Sequence, residues 1–581
     1  MNRSDCRALC RQRPEECPGR RLNVSDVRKR GPFGSRRAAG AAVGAVLLGG
    51  GLIAVPAAVG ADSGPPVKVP DAEVYEPSAL PDRIILVPTA TPATSQKVTW
   101  RSEVGGEYAQ AQLLEAPIAL GDVRPAEGAV RTVMAGSTNP VTTSLGYASV
   151  YHQVEFTGLQ PNTRYTYRVG DGVNWSEWID FTTASAGFEP FSFIYYGDMQ
   201  NYIDSAGPRV FRQAFADRPE AKVIVNAGDL INSANSELEW GQWHAADGFI
   251  NSQINNISIT GNHEYSGGRL STFWQPTFPY PTNGPDFGDA ATNAAMRNTV
   301  YSVDYQGVRF IGLNSNVQSL APIMAAQTAW LEQQLANNPN KWTVVTFHHP
   351  VYSVASGRNN PTVRAQWGPL FEKYGVDLVL QGHDHTYGRG STTASRRSAT
   401  VHDSTVYATS VSGGKMYDAV ASNWVDNGAD QMSVGQDMQL YQMIDVTEDS
   451  ITYEARYANG EHHDGVVIRK NDAGERTVQE IRTPENTVGE QVAVDTTTVG
   501  FRGTVNVSAW GYDPGETVNV YVRNVERGQD VLVGEATADE LGRVLELPVT
   551  FPSSAKKLST QMVYLESVNQ QITSPEITVN R

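Results

Sequence analysis

Val376-Asp377-Leu378-Val379-Leu380-Gln381-Gly382-His383-Asp384-His385 is an apolar run of strand length that ends in side chains able to bind a cation. Four more runs end the same way. Residues 191–196 lead into Gly197-Asp198-Met199-Gln200, and 223–227 into Gly228-Asp229. Residues 257–260 lead into Gly261-Asn262-His263-Glu264, and 343–347 into His348-His349-Pro350. Helical patterns at 327–337 and 363–374 lie among them. Strands alternating with helices over 189–470 predict an α/β domain.

One Gly-Asp after a strand is ordinarily a turn, and one buried histidine is ordinarily held by hydrogen bonds. Repetition changes that reading. In an α/β sheet, ligands bind in the crevice outside the carboxyl ends of the strands. Five strand ends bringing Asp, Asp, Asn, His and His-x-His to one rim make a mixed nitrogen and oxygen metal site, and five of the ten histidines sit in these motifs. Glycine before four of the clusters permits tight turns and close backbone approach. The donors outnumber what one ion needs, so two ions sharing a carboxylate fit better. Such a pair, about 3.5–4 Å apart, clamps a phosphoryl group and lowers the pKa of bound water, with no nucleophilic Ser or Cys required.

Working outward, residues 84–188 carry short alternating runs between turn signals, the pattern of a β-sandwich. Within them, Gly158-Leu159-Gln160-Pro161-Asn162-Thr163-Arg164-Tyr165-Thr166-Tyr167-Arg168-Val169 resembles the turn and penultimate strand of a fibronectin type III domain. Residues 487–581 read as a second, Ig-like sandwich, with the run 517–522 after the turn Asp513-Pro514-Gly515-Glu516. Residues 62–83 and 471–486 read as linkers.

The chain has 581 residues, beyond what one core usually supports, and its charge is split. Residues 1–37 hold eleven Lys/Arg against four Asp/Glu; from Asp62 onward there are 35 basic against 58 acidic residues. So acidic a body argues against nucleic acid bound in a groove. The uncharged stretch 38–61 closes in Val59-Gly60-Ala61, so 1–61 read as an export signal and the protein as secreted or cell-surface. Ser35-Arg36-Arg37 fits a twin-arginine signal, but Ala38-Ala39-Gly40 stands where hydrophobic residues belong, so both export routes stay open. An uncleaved anchor and an over-extended start of the reading frame are the alternatives. After signal removal no membrane span is expected. Cys6, Cys10 and Cys17 all precede the apolar stretch, leaving the body without disulfides.

The order Gly-Asp, Gly-Asp, Gly-Asn-His-Glu, His-x-Pro, Gly-His-x-His resembles the calcineurin-like metallophosphoesterases. With the fibronectin-like domain in front and Gly-His-Asp-His-Thr-Tyr-Gly-Arg at 382–389, it resembles the purple acid phosphatases over 84–470. The resemblance implies a four-layer metallophosphoesterase sandwich flanked by helices. It implies that Asp198 and His385 bind one metal, Asp229 bridges both, and Asn262, His348 and His383 bind the second. His263 would stand over the phosphate as a catalytic group, and His349 would support the ligands from behind. Purple acid phosphatases carry a tyrosine three residues after the bridging aspartate; here it is Asn232. Other metallophosphoesterases place a histidine where Gln200 stands. Gln200 is therefore a candidate amide-oxygen ligand to the first metal, the alternative being that it leaves a position to water. The two metals are expected to be Fe, Mn or Zn, without ferric iron held by tyrosinate, and the protein is not expected to be purple.

Arg358, ten residues after His348, is the candidate phosphate contact. Tyr387 and Arg389 are read as supporting groups, His462-His463 as surface and His244 as core. The expected reaction is hydrolysis of a phosphomonoester by metal-bound hydroxide. The rivals are a phosphodiesterase acting on nucleotides or phospholipid head groups, and a surface-binding protein with a degenerate metal site. Association with the cell wall or surface through the sandwiches is a further expectation.

Overall fold

A computed structural model describes residues 68–580 apart from 106–107, 118–128, 398–400, 482–491, 513, 526, 541, 556–558 and 568–570. Residues 1–61, read as an export signal, and the three cysteines lie outside the described residues. Among the described residues, no helix is long and apolar enough to cross a membrane.

Two antiparallel sheets form the N-terminal sandwich. One is built on Asp82–Val87, Ser95–Glu103 and Ala148–Thr157, the other on Gln110–Glu115, Arg164–Gly170 and Ile179–Thr182. Trp100, Phe156, Tyr167 and Phe181 fill the space between them. The first sheet begins at Asp82, inside the stretch read as linker. Arg83 ends buried against Glu237 of the next domain, so this segment is pinned rather than free.

The middle domain packs two mixed sheets face to face. Phe191–Tyr196, Val223–Asn226 and Asn255–Ser258 run parallel in the first; Val308–Gly312, Trp342–Thr346, Leu378–Gln381 and Val406–Thr409 run parallel in the second. Side chains alternate between faces along a strand. Trp342 and Val344 therefore join the core between the sheets, while Val345 and Phe347 point outward beneath Trp330, Trp367 and Phe371. Coverage on both faces explains why these strands read as continuous apolar runs. Helices Ile203–Asp217 and Glu237–Asp247 add to the first sheet's core; Ala321–Ala336 and Pro361–Tyr374 cover the outer face of the second.

The five motif-bearing strands divide between the two sheets of the sandwich, three in the first and two in the second. One further expectation needs correction: 471–486 is not simply a linker. Arg476–Glu480 pairs along His462–Lys470 as a strand of the first sheet, and the Glu480 carboxylate reaches the buried Arg389. Its polar composition reflects those ion pairs.

The C-terminal strands form two further sheets around Val505, Val507, Val520, Val563 and Leu565.

Candidate metal centre

The strand ends of both sheets meet at one point. Asp198, after the first sheet's 191–196 strand, makes a parallel bridge to Val411 and accepts the N–H of His383 at 2.6 Å. Gly382 N–H donates to the carbonyl of His348 at 3.0 Å. Glycine is required where the chains cross. A Cβ on Gly261 would stand 2.1 Å from Asp229 Oδ1, and one on Gly382 would stand 2.2 Å from Asp198 Oδ1. Asp229, His383 and His385 hold φ of 52°, 77° and 47°, a left-handed backbone that side-chain-bearing residues rarely adopt.

Two donor groups result. Asp229, His348 and His383 present ligand atoms within 4.8 Å of one another, and so do Asp198, Asp229 and His385. Asp229 belongs to both. In two of the three histidines the free nitrogen is selected by what holds the other. His348 Nδ1 donates to the carbonyl of Ala227 at 2.8 Å, leaving Nε2 at 3.0 Å from Asp229 and 3.1 Å from Asn262 Oδ1. His385 Nδ1 donates to the carbonyl of Lys415 at 3.0 Å, leaving Nε2 at 3.2 Å from Asp198 Oδ2. A backbone carbonyl behind the ring is the usual arrangement of a metal-binding imidazole.

The chemistry of this set fits cations. Asp198 Oδ2 is buried without a hydrogen-bond donor. Burial works against a proton on His348, yet the Asp229 and Asp198 carboxylates overcome it and raise the imidazole to about 10. The pocket demands positive charge. Gln200 packs its Nε2 2.6 Å from His385 Nε2 and 3.2 Å from Asp229 Oδ2, with Oε1 buried and unpartnered. A half-turn of the amide would direct the oxygen into the same space.

Residues 191–387 match the profile of the calcineurin-like phosphoesterases, and 81–183 match that of the purple acid phosphatase N-terminal domain. Over these two segments the chain is similar to the purple acid phosphatases, with a calcineurin-like phosphoesterase domain at 191–387. It is 26% identical over 281 residues to purple acid phosphatase 23 of Arabidopsis thaliana, covering 42% of this chain and 59% of that protein. It is also 26% identical to Fe(3+)-Zn(2+) purple acid phosphatase 12 of the same plant, covering 42% and 53%. The chain thus spans between half and three-fifths of these relatives' length. The solved purple acid phosphatase PPD1 from yellow lupin shares the fold at 18% identity and a TM-score of 0.53, over 68% of this chain and 75% of that one.

In this metallophosphoesterase domain His263 sits at the mouth of the centre. Its N–H donates to Asp229 Oδ1 at 2.8 Å, its Nδ1 donates to the carbonyl of Asn232 at 2.5 Å, and its Nε2 lies 4.0 Å from Asp229 Oδ2. His349 packs behind the ligands, 4.3 Å from the His383 ring, with Nδ1 2.9 Å from Ser315 Oγ; burial pushes it down to about 3. Arg358 is tied to the loop that carries the histidines. It donates to the carbonyl of His383, lies 3.5 Å from Asp384, and covers the Tyr417 ring at 4.9 Å. Tyr387 and Arg389 are fully buried on Asp464, away from the mouth. His244 is half-buried against Trp240 and Trp243; His462 and His463 are half-buried rather than exposed, and His463 packs on Tyr387.

Sequence reasoning passed over Glu264. It accepts the N–H groups of Asp229, Leu230 and Gly261 at 2.9, 2.8 and 2.6 Å and so ties two ligand loops together. Burial, with Asp229 beside it, pushes its carboxyl up to about 7. Its place next to His263 was the available signal. The carbonyls of Ala227, Asn232 and Lys415 had none, because backbone acceptors carry no side-chain signature.

Proposed function

We propose that the protein is a secreted, dinuclear metal-dependent phosphoesterase that hydrolyses phosphate monoesters. The observation that carries this reading is the membership of Asp229 in both donor groups, which is what a carboxylate shared between two ions requires. Asp198, Gln200 and His385 would hold one ion and Asn262, His348 and His383 the other. When bound, the pair supplies Lewis acidity toward phosphoryl oxygens and makes water a nucleophile near neutral pH.

The chain's own groups do the rest. The carbonyls of Ala227 and Lys415 fix the tautomers of His348 and His385. The carbonyl of Asn232 keeps a proton on His263 Nδ1, so the imidazolium form gives its Nε2 proton to the leaving oxygen and returns to the neutral Nδ1–H tautomer. With Asn232 in the place of the purple enzymes' tyrosine, Mn, Zn or Fe(II) suits the oxygen-rich site. Arg358, held beside His383, is retained as a phosphate contact. Export rests on the 1–61 leader, and the flanking sandwiches are proposed to hold the enzyme at the cell wall or surface.

The test compares 4-nitrophenyl phosphate with bis(4-nitrophenyl) phosphate on metal-loaded protein. The monoester should be turned over faster, and Asp229→Asn should lose at least ~10³-fold in kcat, the order of losing one electrostatic stabiliser of the transition state. Preference for the diester would make the protein a phosphodiesterase. Inertness toward both, shared by the variant, would leave only a binding protein.

A further inference from the structure

Ser236-Glu237-Leu238-Glu239 opens the helix Glu237–Asp247 with the sequence of a capping box. Half the box forms: Ser236 Oγ accepts the N–H of Glu239 at 3.3 Å. In the complete motif the Glu carboxylate turns back to the N–H of the capping serine. Here it does not. Ser236 N–H donates to the carbonyl of Ser233, while Glu239 Oε2 accepts the N–H groups of Asn232 at 3.0 Å and Ser233 at 2.6 Å. The carboxylate has been diverted from its own helix to the turn that follows Asp229.

That turn carries the acceptor for His263. The N–H of Ser233 and the C=O of Asn232 belong to one peptide plane, and in a trans peptide they point in opposite directions. Gripping the N–H on one edge aims the carbonyl on the other at the imidazole, 2.5 Å from Nδ1. The helix supplying Glu239 is anchored in turn. Glu237 is fully buried between Arg83 and Arg101 of the N-terminal sandwich, with Arg101 Nη1 at 2.5 Å, and its N–H donates to Ser144 Oγ at 3.0 Å.

We propose that Glu239 is a positioning residue for His263, and that the N-terminal sandwich fixes the helix from which it works. This rests on the reading of His263 as proton donor to the leaving oxygen. The sandwich is then part of the catalytic machinery's frame as well as the proposed surface module.

The experiment measures kcat and KM of the metal-loaded full chain on phenyl phosphate, whose leaving oxygen needs a proton, and on 2,4-dinitrophenyl phosphate, whose leaving oxygen does not. Glu239→Ala should lower kcat on phenyl phosphate by about 10²-fold, the scale of a misplacement near 1 Å. KM and the dinitrophenyl rate should stay nearly unchanged. Glu239→Asp, one methylene short, should behave alike. Glu239→Gln, whose carbonyl can accept both N–H groups, should recover most activity, and Glu239→Ala should add no loss to His263→Ala. A wild-type rate for Glu239→Ala, equal loss on both esters, or an additive loss with His263→Ala would overturn the proposal. If His263→Ala itself hydrolyses phenyl phosphate normally, the proton-donor reading falls and takes this inference with it. If His263→Ala is slow and Glu239→Ala is not, only the positioning role falls.

Discussion

Stripping metal from this protein should destabilise the middle domain, and single ligand substitutions should divide that effect unequally. Binding to the folded state alone stabilises by about 2.7 kcal/mol per ion when free metal is 100-fold above Kd, so two ions give about 5 kcal/mol. A domain of about 280 residues unfolds with an entropy near 0.6 kcal/mol/K, so chelation should lower Tm by about 9 °C. Asp198 belongs to one donor group and Asp229 to both. Asp198→Asn should therefore keep one ion and about half the chelator-sensitive shift. Asp229→Asn should lose both ions and nearly all of it. Scanning calorimetry with and without dipicolinate reads the shift, and elemental analysis of the same samples reads two, one and zero ions per chain. Identical behaviour of the two variants would refute the shared carboxylate. So would two ions retained by Asp229→Asn.

Further consequences can be checked on the same protein. Arg389→Ala leaves the carboxylates of Asp464 and Glu480 buried without their guanidinium, and should cost about 3–5 kcal/mol in a urea titration. Gly261→Ala puts a methyl within 2.1 Å of Asp229 Oδ1 and 2.5 Å of its backbone nitrogen. It should cut kcat by ~10² or more while circular dichroism stays native. Asp247 is buried, with Oδ1 accepting the N–H of Asn251 at 2.7 Å and Oδ2 unpartnered, and burial pushes its carboxyl up to about 7. The folded state then binds an extra proton between the unfolded pKa near 4 and 7, so stability falls as pH rises through that window. The penalty approaches about 4 kcal/mol above pH 7. Asp247→Asn should be the more stable protein at pH 8 and equal to wild type at pH 4. An iron-loaded sample should show no visible charge-transfer band; its appearance would restore a phenolate ligand from elsewhere.

The residues of the candidate site could be grouped from the sequence because their motifs follow on apolar runs, and strand ends in a twisted sandwich converge whatever the intervening loops do. Asp198, Asn262 and His383 are separated by long stretches of chain yet meet because two parallel sets of strands point their carboxyl ends at one place. Which strand joins which sheet of the expected sandwich was hidden, since a strand buried on both faces looks the same in either sheet. The strand Arg476–Glu480 was hidden for the opposite reason. Its inward groups are charged, and only the partners Arg389 and Asp377 make that tolerable. The diverted Glu239 shows the limit of motif reading. Ser-x-x-Glu stands at the helix start at Ser236, but which N–H the glutamate takes is settled by the turn in front of it.

The strain at the centre argues that metal binding and folding are one equilibrium here. Asp229, His383 and His385 each hold a left-handed backbone costing on the order of 1–3 kcal/mol, and Asp198 buries a carboxylate oxygen that no donor meets. Neither feature helps a protein that merely folds. Both become favourable terms once positive charge fills the gap between the two sheets, because the strained turns are what direct two imidazoles and a shared carboxylate at the same space. A variant relieved of strain, such as His383→Gly, should accordingly lose less stability in chelator than in metal.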